Sequence, residues 1–353
     1  MKALAESSGS KIEEKFALSV TDSTPSSTTL EGKHPLQPFR KGARGTFGGE
    51  LVAQALNAAC ATVEVPEFTP HSLHLYFVKA GLDDTTMVWQ VQHVSDTKNY
   101  ANRLVQGFQG TGGRLVYVCQ VSFTRANHSE HRIKAAEEKA AAVVQAGGIA
   151  RELPVQFQTK PNFLFEKYRN RLDEFNSHIH TFDMLEHITP PDYSYRDQKT
   201  DLGAAGNKQF GFFFRVRDDW RKAQNPTTTR FLQLAFASDS AYLGTVVGAL
   251  GLRLPVDMKD PAMLPTFAFF RVSLDHTIYF HDLDFDPASW MFLDYKFSRL
   301  NNDRVLCQCI VYTLEGKMVA LVIQEGLVYF TDEILGRVKR LGVDGDDLGV
   351  SKL

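Results

Sequence analysis

Two stretches of the chain are apolar in nearly every helical direction rather than along one stripe. The first begins at Gly48-Gly49 and reads GGELVAQALNAACATV, and the second begins at Leu232 and reads LQLAFASDSAYLGTVVGAL. A helix that is apolar on all sides has to be buried on all sides. The pattern therefore predicts two enclosed helices, one in each half of the chain.

Each of these stretches is followed by four runs that are rich in Val, Tyr and Phe and alternate in polarity, which is typical of β-strands. The first set reads HSLHLYFV, MVWQVQHV, ANRLVQGF and RLVYVCQVSFT, and the second reads SLDHTIYF, WMFLDYKF, RVLCQCIVYT and KMVALVIQEGLVY. Turns at 110–113 and 314–317 are expected to join the last two strands of each set as hairpins.

The two strand sets are copies of one pattern. Tyr76 and Tyr279 lie 203 residues apart, and Gln120 and Gln324 lie 204 residues apart, so the spacing holds within one residue. A buried helix followed by a curved antiparallel sheet, repeated twice, predicts an α+β protein with a double hot-dog fold. We expect the two sheets to join edge to edge, because this removes two exposed edges.

The other segments differ in character from the two copies. We expect a flexible N-terminus at 1–10, an N-terminal hot-dog half at 11–125, a connector at 126–207, a C-terminal hot-dog half at 208–335 and a tail at 336–353. The connector begins with the helical pattern HRIKAAEEKAAAVVQ and is expected to lie across the surface. The Ser/Thr/Pro-rich stretch DSTPSSTT is predicted to be mobile.

The composition excludes several classes of protein. With 43% hydrophobic residues, 23% charged residues and a formal net charge of -2, the chain has no basic excess that would favour nucleic acid as a partner. No apolar run approaches the roughly 20 residues that a membrane-spanning helix needs. The polar start MKALAESSGSKIEEKF gives no indication of a secretory or mitochondrial signal.

The cysteines and the last three residues bear on redox state and location. Cys60, Cys119, Cys307 and Cys309 show no zinc-ligand spacing, so we expect buried, reduced thiols rather than a metal site or disulfides. Ser351-Lys352-Leu353 is the S-K-L address that a peroxisomal import receptor reads. The tail therefore predicts that receptor as a partner and the peroxisome matrix as the location.

Two polar side chains interrupt apolar surroundings. Asp239 stands in FASDSAYL at the expected start of the second helix, where Asp is also a common N-cap, and Glu50 stands at the matching place of the first copy. Gln324 interrupts the apolar strand VALVIQEGLV, with Gln120 in the same slot of copy one. A buried amide usually pairs with neighbouring polar groups, so a structural role is the alternative for Gln324.

Ser273, Asp275 and His276 lie close together in the sequence without forming a convincing Ser-His-Asp triad. Adjacent residues of a strand point to opposite faces, and no G-x-S-x-G elbow surrounds the serine. His276 and His281 have no neighbours at metal-ligand spacing. Serine hydrolase and metal-site interpretations are therefore both weak.

Six motifs resemble, in the same order, those of the type II acyl-CoA thioesterases, a family that includes bacterial thioesterase II and the eukaryotic peroxisomal acyl-CoA thioesterase. They read FGGELVAQAL, HSLHLYF, FASDSAYL, SLDHTIYFH, WMFLDYKF and GKMVALVIQEGLV. The resemblance runs from about Lys11 to Phe330 and is weakest in the connector. It implies an acyl-CoA hydrolase that releases free fatty acid and CoA from fatty acyl-CoA.

In that family an Asp, a Thr or Ser, and a Gln from the second half together hold and activate a water molecule. Matched motif by motif, these roles fall on Asp239, Ser273 and Gln324, with Ser in place of the bacterial Thr. Asp239 would then act as general base, and no cofactor or metal is needed. Because members of the family are oligomers, a homodimer or homotetramer is expected.

Two other functions stay open. A hot-dog enoyl-CoA hydratase would pair its Asp with a His on one short motif, but the residue five positions after Asp239 is Gly244. A non-catalytic acyl-CoA-binding protein would keep the fold without turnover, and the presence of all three polar residues argues against it.

Overall fold

A computed structural model describes most of the chain. The described residues are 9–39, 43, 45–125, 129–150, 157–191, 209–240, 243–246 and 269–330. Ser351, Lys352 and Leu353, which are expected to form a targeting signal, lie outside them, as do residues 1–8 of the segment expected to be flexible.

Helices and strands of the described residues follow the predicted order, with additions. The helices are α1 (Lys11–Lys15), α2 (Gly48–Cys60), α3 (Ser129–Gln145), α4 (Phe163–Tyr168) and α5 (Pro226–Ser238). The strands of the first part are β1 (Leu18–Thr24), β2 (Ser27–Gly32), β3 (Phe68–Phe77), β4 (Val88–Asp96), β5 (Tyr100–Gln109) and β6 (Arg114–Arg125). Those of the second part are β7 (Ile179–Phe182), β8 (Leu185–Ile188), β9 (Phe210–Val216), β10 (Phe269–Ser273), β11 (Asp275–Phe280), β12 (Met291–Asn301), β13 (Arg304–Thr313) and β14 (Met318–Phe330).

The strands form one continuous antiparallel sheet. Its order is β1-β2-β4-β5-β6-β3-β11-β14-β13-β12-β9-β8-β7, and β10 also pairs with β14. The two halves meet where β3 pairs with β11, with Tyr76 opposite Asp275. The predicted edge-to-edge junction is therefore confirmed, as are the two hairpin turns and the double hot-dog α+β fold.

Helices α2 and α5 pack against each other inside the curved sheet, and most of their residues are buried. The rings of Phe47 and Phe236 meet edge to face, with 5.6 Å between their centroids. The prediction of two enclosed helices is confirmed. The position of the second was wrong, because α5 begins at Pro226, a favoured first residue, and ends at Ser238 instead of continuing through Asp239.

The repeat is offset by 203 residues in the strands at the junction of the halves, where β3 and β6 correspond to β11 and β14. Cys119 on β6 and Val322 on β14 are equivalent, because they pair with residues at matching positions of β3 and β11. Gln324 is therefore equivalent to Val121, and the match to Gln120 was wrong by one residue. A shift of one residue moves a strand side chain to the other face, so Gln120 is exposed while Gln324 is fully buried.

Two segments outside the two copies add strands to the sheet. Strands β1 and β2 form a hairpin beside β4, so the stretch at 22–29 is ordered structure and the prediction of mobility was wrong. Strands β7 and β8 of the connector pair next to β9. The connector is thus part of the sheet rather than only a surface segment, although its first helix is confirmed as α3.

Other expectations can also be compared with the structure. The four cysteines are buried and free, as predicted. Within the described residues, no helix combines the length and the apolarity that crossing a membrane requires. The limits of the five predicted segments stay a prediction.

Candidate active site

The three residues singled out by the family resemblance meet at one point. The amide nitrogen of Gln324 donates to Oδ1 of Asp239 over 2.7 Å and to Oγ of Ser273 over 2.6 Å. They come from the end of α5, the end of β10 and the middle of β14. An ionised carboxylate only accepts hydrogen bonds, so the amide nitrogen rather than the oxygen has to face Asp239.

Asp239 is the C-cap of α5, not the N-cap that its sequence context suggested. Its carboxylate instead meets the beginning of α2, where the backbone N–H of Gly49 donates to it. The glycines make this approach possible. A Cβ at Gly48 would overlap with Oδ2 of Asp239 and lie 3.0 Å from Cζ of Phe77, while one at Gly49 would overlap with the carbonyl oxygen of Phe236.

Burial raises the pKa of the Asp239 carboxyl from 3.8 to about 7, and the hydrogen bonds from Gln324 and Gly49 oppose this rise. Desolvation disfavours the charged form of an acid, which makes its carboxylate a stronger base. The positive end of the α2 dipole also favours negative charge at this place. The acid therefore titrates close to neutral pH, where a general base is most effective.

A β-bulge lies directly opposite Gln324. Ser273 pairs with Gly326, and Thr277 pairs with Ile323, so three residues of the β10–β11 strand oppose two residues of β14. Bulges redirect side chains and are common beside active sites. This one lets β10 present Ser273 to the site and β11 continue with its own buried face.

The bulge also separates the residues of the apparent Ser-His-Asp set. Asp275 accepts from the backbone N–H of Glu325 at 2.7 Å, whereas Nε2 of His276 lies 2.9 Å from Oγ of Ser238 in the interior. Burial lowers the pKa of His276 to about 3, so the ring is neutral. A triad with Ser273 does not form, in agreement with the prediction.

The segment around Asp239 is fixed on both sides. Ser238 contacts His276, and the carbonyl oxygen of Ser240 accepts from the hydroxyl of Tyr295 at 2.6 Å. The hydroxyl of Ser240 also lies 3.0 Å from Nε2 of His187 on β8. The sequence had given no indication of these anchors, because they come from three distant strands.

Glu50 has a structural role instead of forming a second acid centre. Its side chain is 1% exposed and forms an ion pair of 2.7 Å with Lys15, which also reaches Asp183 at 3.0 Å. The backbone N–H of Gln37 donates to the other oxygen of Glu50. The match between Glu50 and Asp239 was therefore wrong, since one lies in the first turn of α2 and the other at the end of α5.

Two hydrogen-bonding groups of the site remain available to a small reactant. The amide oxygen of Gln324 is buried without a hydrogen-bond partner among the described residues. The hydroxyl of Ser273 accepts from Gln324 and keeps its own hydrogen for donation. Together with the Asp239 carboxylate, these groups can accept from and donate to one water molecule. In the part of the chain that the structure describes, no group of His, Cys, Asp and Glu residues is arranged to bind a metal.

Comparisons with known proteins place the chain in one class. Residues 37–124 match the family model of the acyl-CoA thioesterase N-terminal domain, and residues 166–328 match that of the acyl-CoA thioesterase C-terminal domain. The matches cover more than half of the chain. The chain therefore belongs to the acyl-CoA thioesterase family, as an enzyme of the type II, double hot-dog class.

Individual relatives are similar over most of the chain. A Saccharomyces cerevisiae protein named peroxisomal acyl-coenzyme A thioester hydrolase 1 is 26% identical over 335 residues, which cover 83% of this chain and 88% of the relative. Human acyl-coenzyme A thioesterase 8 is 26% identical over 301 residues, which cover 85% and 84% of the two chains.

Solved structures support the fold. The acyl-CoA thioesterase II TesB2 from Mycobacterium marinum superposes with a TM-score of 0.58 at 22% identity, covering 91% of this chain and 98% of that one. The tesB protein of Mycobacterium avium subspecies paratuberculosis gives a TM-score of 0.58 at 15% identity, covering 90% and 98%.

Proposed function

We propose that this enzyme hydrolyses fatty acyl-CoA to free fatty acid and CoA in the peroxisome, with a water molecule activated by Asp239, Ser273 and Gln324. The observation that carries the mechanism is the buried Gln324 amide, which joins the half-buried Asp239 and Ser273 at one point. The acyl-CoA substrate is supported by the names of the yeast and human relatives.

The proposed reaction needs no covalent intermediate. Asp239 takes a proton from the water while the water oxygen attacks the thioester carbon, and a tetrahedral intermediate forms. Its collapse breaks the carbon–sulfur bond, and the protonated Asp239 returns the proton to the CoA thiolate. The amide oxygen of Gln324 and the hydroxyl of Ser273 orient the water, which reduces the entropy lost in reaching the transition state.

The structure gives less support to the two alternatives. A hydratase needs an acid to deliver a proton to the substrate, but His276 contacts Ser238 and its lowered pKa keeps it neutral. A binding protein without turnover has no use for a carboxyl group whose pKa burial has raised to about 7 beside an oriented amide. Such strongly shifted groups are concentrated at reactive sites.

The test of this function is Asp239→Asn, which keeps the size of the side chain and removes the base. We expect the purified variant to fold and to lose hydrolysis by about 10²- to 10⁴-fold, measured as release of free thiol from palmitoyl-CoA. Asp294→Asn is the matched control, since Asp294 is another buried acid with a raised pKa that bonds to Asn162, away from the three residues. Wild-type turnover in folded Asp239→Asn would show that the base is assigned wrongly.

The peroxisomal location is proposed from the C-terminal Ser351-Lys352-Leu353 and supported by the name of the yeast relative. Deleting these three residues should leave turnover intact and retain a fluorescent fusion in the cytosol, because the import receptor reads the free C-terminal tripeptide. Peroxisomal fluorescence of the truncated fusion would contradict the assignment. The homo-oligomer expected from the family resemblance stays a prediction.

A further inference from the structure

Tyr117 brings a hydroxyl group without a strong hydrogen-bond partner into the interior of the N-terminal half. It lies on β6 and is fully buried, with its ring edge-to-face against Trp89 at 5.5 Å and Phe77 at 5.9 Å between centroids. Apart from the thiol of Cys119, no group of the described residues hydrogen-bonds to its oxygen. The neighbouring Cys119 offers only a thiol, which is a weak hydrogen-bond partner.

A phenylalanine would fill the same space without burying an unsatisfied hydroxyl. Buried tyrosines usually pair this group, and others in this chain do so. Tyr295 donates to the carbonyl oxygen of Ser240 at 2.6 Å, and the hydroxyl of Tyr312 lies 2.8 Å from Oγ of Thr159. The hydroxyl of Tyr117 therefore requires an explanation that packing does not provide.

The position of Tyr117 supplies one. The ring of Phe77 contacts Tyr117, and both this ring and the carboxylate of Asp239 border the space that a Cβ at Gly48 would occupy. The charge of Asp239 also acts on the phenol: burial, Cys119 and then Asp239 raise the pKa of Tyr117 well above its ordinary value. The phenol thus stays protonated and lies near the candidate base, reaching it from the opposite half of the molecule.

The reaction creates a need for a hydrogen-bond donor at this place. As water attacks, negative charge develops on the thioester oxygen, and preorganised donors stabilise such charge. The Gly49 N–H already bonds to Asp239, the amide nitrogen of Gln324 bonds to Asp239 and Ser273, and the Ser273 hydroxyl is assigned to the water. Among the described residues, the Tyr117 hydroxyl has no hydrogen-bond partner stronger than the Cys119 thiol.

We propose that the Tyr117 hydroxyl donates a hydrogen bond to the thioester oxygen of the bound substrate in the transition state, so that the N-terminal half contributes a catalytic residue to a base carried by the C-terminal half. This inference rests on the proposed hydrolysis.

The test is Tyr117→Phe, with Tyr312→Phe as the matched control. Tyr117→Phe should lower kcat by about 10²-fold, as loss of one such donor does elsewhere, with little change in KM. Its melting temperature should be unchanged or higher, because the substitution removes an unsatisfied hydroxyl. Tyr312→Phe, which loses a formed hydrogen bond, should melt at lower temperature and keep its kcat.

Two inhibitors separate a catalytic role from a structural one. A trifluoromethyl ketone analogue of acyl-CoA, which hydrates to resemble the tetrahedral intermediate, should bind Tyr117→Phe more weakly by at least 10-fold, whereas a non-hydrolysable thioether analogue should bind it as it binds the wild type. Unchanged kcat, or equal weakening of both inhibitors together with a lower melting temperature, would overturn the inference. Inactive Asp239→Asn beside fully active Tyr117→Phe would refute only the role of Tyr117, while active Asp239→Asn would refute the proposed function.

Discussion

At the scale of single residues, Asp239 is placed where reactivity and stability oppose each other. Its folded pKa of about 7 lies above the ordinary 3.8, so the folded chain binds a proton that the unfolded chain releases between these two values. The free energy of unfolding therefore decreases as pH rises from about 4 to about 7 and is constant above, by about 1.4 kcal/mol for each unit of pKa shift. The carboxylate, which is the form proposed to accelerate hydrolysis, is the form that the fold disfavours.

The raised pKa of Asp239 predicts a pH profile of the reaction rate and a pH profile of stability, and both have to give the same pKa. Because the base acts when ionised, kcat/KM should rise about tenfold per pH unit below an apparent pKa near 7 and level off above it. Asp239→Asn should be more stable than the wild type at pH 8, with the difference shrinking towards pH 4. Initial rates and urea unfolding at matched pH values check both profiles, and a flat rate profile from pH 5 to 8 would contradict the assignment.

The identity of the site residues was accessible from sequence only through the family resemblance. On their own, Asp239 suggested a helix cap and Gln324 a satisfied core amide. Each depends on partners more than 50 residues away, such as Ser273 for Gln324, and no local pattern encodes such contacts. The hydroxyl of Tyr117 was missed for the same reason, since an aromatic residue in a strand is ordinary core.

At the scale of elements, the start of α2 determines how closely the end of α5 can approach it. The substitution Gly48→Ala tests this by adding one methyl group, because its Cβ would overlap with Oδ2 of Asp239. Alanine is a better helix former than glycine by about 1 kcal/mol, so the fold should persist while the displaced carboxylate loses about 10- to 100-fold in kcat. The checks are thermal unfolding and thiol release.

Gly244→Ala provides the comparison for Gly48→Ala, since its new Cβ would meet no atom of the described residues within 4 Å. It should retain its kcat. Equal activity in both variants would show that the carboxylate position does not depend on the close approach at Gly48.

Most strands were predictable because period-2 alternation is a local property, and the boundaries of β13 agree with the predicted run. The alternation pattern did not predict the bulge after Ser273 or the correct match of Gln324. Each is a shift of one residue. Such a shift leaves the spacing between the two copies nearly unchanged but moves a side chain to the opposite face of the sheet. Likewise α5 was placed too late because its first turn, PTTT, is polar and its apolar continuation extends beyond its end.

At the scale of the whole molecule, the two halves have different parts in one site. The C-terminal half carries Asp239, Ser273 and Gln324, and the N-terminal half provides the glycines of α2. At the opposite end of the α2–α5 pair, the C-cap of α2 is Ala61, which stands where Asp239 stands in the C-terminal half. The neighbouring helix α5 begins there with Pro226, which has no N–H to donate. The described residues therefore form one such acid site per chain rather than two.

The halves are held together by the β3–β11 ladder and the α2–α5 contact, whereas α3 of the connector is largely exposed. A protease recognition sequence inserted into α3 should permit cutting without loss of turnover, and the two fragments should co-elute in native size-exclusion chromatography and separate in urea. Inactivation on cutting, or separation under native conditions, would contradict this.

A nicked enzyme of this kind would consist of two different polypeptides and would therefore be a heterodimer, although both come from one translated chain. The connecting peptide then serves mainly to keep the local concentration of one fragment around the other high. Two fragments that are expressed as separate chains should therefore associate, and hydrolysis should be regained only when both are present.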